Sequence, residues 1–278
     1  MSEPDPRLTL ARPDLATRSL EGLLAAKRYG ETHRLRLNVP SAPLWRSAEP
    51  GAERVDEMIY GETFDALERE GARCWGQARR DGYVGFVEAS ALAPAGAAAT
   101  HWVSAIRTYA FAEPFIKAPA TGPYSLGALA RIEAEEAGFG RAEDGLWFWL
   151  AHLSPIGHFQ RDAAAVAERF LGAPYLWGGR TSLGLDCSGL VQQALYATGR
   201  ACPRDADQQA RLGRPIGRGD LARGDLVCWK GHIGLMLDET RLIHANAHHM
   251  AVAVEPAAEA INRIDAAGAG QPTAFRRL

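Results

Sequence analysis

The sequence predicts a multidomain chain, two small β-barrels followed by an α+β domain, and three observations carry that reading. The 278 residues exceed the roughly 100–200 residues of one domain, and 47% of them are hydrophobic. Short strand-like runs fill residues 31–156, divided by Pro, Gly and Asp, and they close twice alike. Residues 81–94 read DGYVGFVEASALAP and residues 144–155 read DGLWFWLAHLSP: Asp-Gly, an aromatic-rich strand, then a short turn reaching Leu. Beyond residue 157 a helix carrying a cysteine precedes a series of strand-like runs, which is an α+β order.

Taken in turn, residues 1–30 carry helical patterning over 14–27, ending at Gly30. Residues 31–95 form the first barrel, with strand-like runs such as 33–39 and 83–87. The stretch 93–100, small and unpatterned, reads as a linker, and 96–156 form the second barrel. In the third domain, 157–278, a helix is predicted over 161–171, with Ala163, Val166, Ala167 and Phe170 on one face. A Gly/Pro-rich turn then leads to a second helix over 186–198. Asp186 is its N-cap, Leu190, Val191, Ala194 and Leu195 are its apolar face, and Gly199 is its stop. Strands follow at 225–229, 232–237 and 241–245, with a last one within 272–277.

Charge narrows the function. With 31 basic and 33 acidic residues the formal net charge is −2, which disfavours a nucleic-acid partner. No run approaches the ~18 apolar residues of a membrane span. The amino-terminal stretch has acids and prolines where a secretory signal has a basic start and an apolar run, so a cytoplasmic location is expected. The cysteines, Cys74, Cys187, Cys202 and Cys228, show no C-x-x-C pairing, so neither disulfides nor a zinc site is expected. Three read as small buried hydrophobes.

Cys187 differs because it falls in the first turn of its helix. Unpaired N–H groups and a partial positive charge there favour thiolate, the nucleophilic form. Gly178, Gly179, Gly184 and Gly189 surround it and would let a substrate backbone approach. A nucleophile needs a base. His232 and His244 fall on two strand-like runs joined by a turn at 238–240, nearly opposite each other, so one imidazole can orient the other. His248 and His249 compete for the third position. Asp186 reads as a plain N-cap or a substrate contact, and Ser188 as a solvated first-turn residue or a contact. Tyr83 and Tyr175 read as half-buried aromatics or site groups, and Asp205 as a turn residue or an anion for substrate.

Asp186-Cys187-Ser188-Gly189, preceded by PYLWGG at 174–179 and followed by RGDLV at 223–227 and GHIG at 231–234, resembles the NlpC/p60 cysteine peptidases. The resemblance covers about residues 159–278. It implies a reduced papain-like fold, with Cys187 as nucleophile, His232 as base, His244 as third member and Tyr175 beside the oxyanion site. Residues 81–87 and Tyr60-Gly61-Glu62 resemble bacterial SH3 (SH3b) domains, which implies two SH3b-like barrels. The whole chain is similar to γ-D-glutamyl-L-diamino acid endopeptidases of murein-peptide recycling. That similarity implies murein peptides with a free N-terminal L-Ala as partners, and no metal or organic cofactor. Arg204-Asp205-Ala206, with Gln209, stands where such enzymes carry Arg-Asp-Ser to help hold the substrate, so Ala206 lacks the hydroxyl that would supply one hydrogen bond to it. Tyr83, and Asp56 among the acids near Val55, fit the amine pocket. The rival readings are an amidase or acyltransferase on the same fold, a peptide-binding protein with a silent peptidase domain, and an exported wall hydrolase.

Overall fold

The computed structural model describes residues 4–278. The chain divides into two compact units, one of residues 4–103, 108–124 and 128–153, the other of 104–107, 125–127 and 154–278.

The first unit holds two β-modules with one strand order. In the first module, hydrogen-bonded neighbours run Arg54–Ile59, Ser41–Trp45, Val84–Glu88, Arg73–Ala78, Thr63–Glu70, His33–Leu37 and Leu92–Pro94. In the second they run Ala120–Ser125, Arg107–Phe111, Trp147–Trp149, Phe139–Ala142 and Ile132–Glu136. That last strand breaks at Arg131, and its other part, Leu129–Ala130, pairs with His101–Val103, which is followed in turn by Leu153–Pro155. The duplicated closing segments match as well, each a strand, one 3-10 turn (Ala89–Ala91 or Leu150–His152) and a three-residue strand.

These modules share an apolar contact, which is why the 93–100 linker separates no independent bodies. Tyr60 packs against Tyr124 and Phe148, with ring centroids 5.0 and 5.9 Å away. Its hydroxyl donates to Asp144 Oδ2 at 2.5 Å, and Arg36 pairs with Glu143 across the same seam. The core of the first module is built on Leu37, Leu44, Met58, Phe64 and Val87.

The expected helix over 14–27 is absent. Leu15–Thr17 and Arg28–Gly30 pair as short parallel strands around a 3-10 turn, Arg18–Leu20. Tertiary contact overrides local propensity here. Leu10 and Leu15 are buried against Trp75 and Phe86, and the Arg12 guanidinium lies 4.0 Å over the Trp75 ring.

The second unit begins with helix α1 (Ala163–Glu168), whose N-cap Asp162 accepts from Ala164 and Ala165 N–H. Helix α2 (Cys187–Ala197) is buried along its whole length, and the short α3 (Ala206–Gln209) follows. Six strands make the sheet: β1 (Arg214–Pro215), β2 (Leu226–Trp229), β3 (His232–Met236), β4 (Arg241–Asn246), β5 (Ala251–Pro256) and, after helix α4 (Ala257–Ala266), β6 (Ala274–Arg277). Their order is β1-β6-β2-β3-β4-β5. Helix α2 packs on β3 and β4, while Ala257, Ala260 and Ile261 of α4 join Trp229, Met236 and Leu242 in an apolar cluster. Strands β1 and β5 and helices α3 and α4 are additions to the sequence reading. Among the described residues no helix is long and apolar enough to cross a membrane.

Candidate active site

Cys187 opens α2 as expected, with Asp186 as the N-cap. What surrounds the carboxylate is a closed polar knot. Asp186 Oδ1 accepts from Gly189 N–H at 2.8 Å, Ser188 Oγ at 3.2 Å and Arg204 Nη1 at 3.0 Å. Oδ2 accepts from Gly178 N–H at 2.8 Å and Arg204 Nη2 at 2.6 Å. Five donors saturate the roughly four lone-pair sites of a carboxylate, so Asp186 has no capacity for a substrate ammonium group. Ser188 is likewise occupied: its Oγ accepts from Arg204 Nη1 at 2.7 Å and it is buried, not solvated. Both side chains are thus bonded within the protein, to each other and to Arg204. Arg204, 1% exposed, is the cation, and nothing in the Arg204-Asp205-Ala206 stretch signalled its pairing with Asp186.

The glycines before and after Cys187 also serve the interior. A Cβ on Gly189 would collide with the Gly179 carbonyl, and one on Gly179 would lie 2.5 Å from the Gly184 carbonyl oxygen. Close backbone approach there seats the N-terminus of α2 against the 174–185 turn. Gln209 Nε2 donates to the Ser188 and Pro203 carbonyls at 3.0 and 2.8 Å, tying α3 to α2. Asp205 is the half-buried N-cap of α3.

The electrostatics reverse one expectation. Burial pushes the Cys187 thiol up to about 12, with the Asp186 carboxylate adding to the effect. Backbone N–H groups of Ile233 and Ser188, and the Arg204 charge, pull the other way without prevailing. An anionic N-cap cancels the positive end of the helix that was expected to favour thiolate. The Ile233 N–H contact sets the sulfur beside β3. Tyr175 stands close by. Burial raises its hydroxyl pKa above the usual range, as do the nearby Cys187 and Asp186.

His232 and His244 meet, but diagonally. Leu235 pairs with Ile243 and Met236 with Leu242, which sets His244 across from Gly234 rather than His232. A Cβ on Gly234 would sit 3.2 Å from His244 Cβ and 2.8 Å from Leu242 Cδ1, so only glycine leaves room there. His232 Nε2 lies 2.8 Å from His244 Nδ1. His244 Nε2 in turn lies 2.6 Å from Glu255 Oε1, and Arg263 of α4 pairs with Glu255. His248 and His249 are exposed on the β4–β5 turn, where His249 Nδ1 bonds Asn246 Oδ1. Of the three, His244 is the histidine bonded to His232.

Burial lowers the pKa of His232 to about 3, and His244 and Arg263 act in the same direction. Burial lowers His244 too, although Glu255 opposes it. At neutral pH the resting pair is thus neutral thiol and neutral imidazole. Two results follow. A raised thiol pKa means that the thiolate fraction, and iodoacetamide inactivation with it, climbs ~tenfold per pH unit from pH 6 to 9. A lowered imidazole pKa means that kcat/KM persists well below the ordinary histidine value near 6.5. A flat alkylation rate over that range would show a resting thiolate–imidazolium pair instead.

Asp56 and Tyr83 belong to the other unit. Asp56 is fully buried on Arg54–Ile59, paired with Leu44, and Tyr83 lies in the same core as Val55.

Known proteins resemble both units of the chain. Residues 172–265 match the NlpC/P60 family, and residues 44–92 match the bacterial dipeptidyl-peptidase Sh3 domain. A γ-D-glutamyl-L-lysine dipeptidyl-peptidase of Bacillus subtilis (strain 168) is 37% identical over 92 residues, 30% of this chain and 31% of that protein. Dipeptidyl-peptidase 6 of Lysinibacillus sphaericus is 36% identical over 91 residues, 32% of this chain and 33% of that protein. The matched segment therefore spans about a third of each relative. The crystal structure of an NlpC/P60 family protein from Bacillus cereus ATCC 10987 shares the fold, with a TM-score of 0.74 at 18% identity, over 88% of this chain and 99% of that one. Residues 172–265 are thus an NlpC/P60 domain, of a family of cysteine peptidases, and residues 44–92 are a bacterial SH3 domain.

Proposed function

We propose that the protein is a cysteine endopeptidase that hydrolyses the γ-D-glutamyl–L-diamino acid bond (diaminopimelate or Lys) of murein peptides with a free N-terminal L-Ala. The observation that carries this reading is the joint placement of Cys187 at the start of α2, Tyr175 beside it, and the bonded His232–His244 pair on the strands that α2 covers. The names of the relatives support the bond and the substrate class.

In the reaction, His232 takes the Cys187 proton as sulfur attacks the γ-carbonyl of D-Glu. N–H groups at the start of α2 and the Tyr175 hydroxyl face the oxyanion. The imidazolium returns the proton to the leaving amine, a thioester remains, and His232 then activates the water that cleaves it. The second β-module is a divergent copy of the SH3 module, which its identical strand order supports. Recycling of released peptides in the cytoplasm is the setting we assign, and the four free cysteines fit a reducing compartment.

A free α-amine is a cation, and burying it unpaired costs several kcal/mol. With Asp186 saturated, Asp205 is the anion of this domain for it, while Asp56, fully buried, and Tyr83, 5% exposed, lie in the interior of the SH3 module and offer the amine no open surface. Incubation with L-Ala-γ-D-Glu-diaminopimelate should release L-Ala-D-Glu, read by mass spectrometry. Acetylating the amine should lower kcat/KM by ~100-fold or more, since each 1.4 kcal/mol is tenfold. Efficient cleavage of the acetylated peptide or of intact murein would refute the free-amine pocket and the recycling role. Transfer to an added amine in place of hydrolysis would mark an acyltransferase.

A further inference from the structure

Four charged or ionisable side chains line up across three adjacent strands and the helix beside them: His232 on β3, His244 on β4, Glu255 on β5 and Arg263 on α4. His244 pairs in register with Ala253, and Leu242 with Glu255, so Glu255 is the diagonal neighbour of His244 on one face. The diagonal step from His232 to His244 is repeated from His244 to Glu255.

The end of this line fixes its direction. Burial pushes the Glu255 carboxyl up, but the His244 bond and the Arg263 charge outweigh it and hold the pKa below the usual value. An ionised carboxylate only accepts. His244 Nε2 must therefore carry a proton. A neutral imidazole has one N–H, so His244 Nδ1 is an acceptor. The 2.8 Å contact then requires the proton of His232 on Nε2, which leaves its Nδ1 bare.

We propose that Glu255, held by Arg263, is a positioning residue that sets the direction of the His232–His244 hydrogen bond and so keeps Nδ1 of His232 free to accept the thiol proton. This rests on the assignment of Cys187 and His232 as nucleophile and base. When His232 accepts that proton, its Nε2–H already points at His244, and the negative end of the line stabilises the imidazolium. Arg263 keeps the carboxylate ionised, so Glu255 orients without taking the proton. The other charges facing the line are Asp186 on α2, which acts on His232, and His249 on the β4–β5 turn, which acts on His244 and Glu255.

The test uses the full chain, with 15N-labelled histidine, and the variants Glu255→Gln and Glu255→Asp. In the wild type, both His232 and His244 should give the Nε2–H tautomer by long-range 1H–15N correlation. Glutamine can donate as well as accept, so E255Q should populate the Nδ1–H tautomer of His232. Its kcat should fall by roughly 10- to 100-fold, the scale on which carboxylates behind a functional histidine act. KM should stay within about twofold, and iodoacetamide should label Cys187 more slowly. E255D keeps the acceptor and should retain the wild-type tautomers with a smaller loss. An Nδ1–H on wild-type His232, or an E255Q with unchanged tautomers and kcat, would overturn the proposal. The tautomer and alkylation readings need no substrate. Failure of the wild type to cleave any murein peptide would therefore count against the proposed function and leave this assignment separately decided.

Discussion

Cys187→Ala is expected to abolish turnover, lowering kcat by roughly 10⁴-fold or more, while leaving the protein folded. The sulfur is the one group in the site that can form the acyl intermediate. The hydroxyl of the following residue, Ser188 Oγ, is bonded to Asp186 and Arg204 and cannot substitute. The thiol is only 6% exposed, and losing one buried sulfur should cost on the order of 1 kcal/mol. Circular dichroism and thermal unfolding should therefore track the wild type closely. Iodoacetamide labelling of the protein should fall sharply once Cys187 is gone, since the remaining cysteines, Cys74, Cys202 and Cys228, are buried and take no part in the proposed chemistry. Measurable dipeptide release by the alanine variant would remove Cys187 from the reaction and with it the acyl-transfer mechanism.

The residues that were legible in advance share a local signature. Asp186 followed by apolar residues at helical spacing announced α2, and Cys187 stood in its first turn. The two histidine runs joined by a polar turn announced the β3–β4 hairpin, although the register sets His244 opposite Gly234, two residues from His232. Glu255 and Arg263 were not foreseen because their meaning depends on β5 and α4, which the sequence reading left unassigned. The signals were present: Val252 and Val254 alternate up to Pro256, and then Ala257, Ala260, Ile261 and Ile264 switch to helical spacing. Even with both elements drawn, the bond from His244 to Glu255 is a cross-strand fact of register, not of sequence distance. Arg204 is harder still. An arginine in a loop 18 residues from Asp186 carries no local mark of a buried bidentate pair. The failed helix over 14–27 is the reverse case, a local pattern overruled by burial of Leu10 and Leu15 on Trp75 and Phe86.

Arg204→Met should destabilise the C-terminal unit by about 3–5 kcal/mol, the cost of leaving one partner of a buried ion pair alone. The argument does not require the pair to be stabilising in itself. Moving both charges out of water is expensive, and a hydrophobic replacement of the whole pair is often no worse. What cannot be tolerated is Asp186 ionised at 5% exposure with its bidentate partner removed. The double variant Asp186→Asn, Arg204→Met removes the orphaned charge. It should recover part of the loss in urea unfolding, though not all, because an amide cannot accept from both Gly178 and Gly189 N–H as the carboxylate does. Arg204→Lys should fall between, keeping the charge and losing the two-pronged geometry. The same substitution reaches the chemistry. Arg204 is one of the groups that hold the Cys187 thiol down, so its loss pushes the thiol further up and slows alkylation even in the folded fraction. An Arg204→Met protein within about 1 kcal/mol of wild type would show that water or another cation neutralises Asp186, and the N-terminus of α2 would not need the knot that now encloses it.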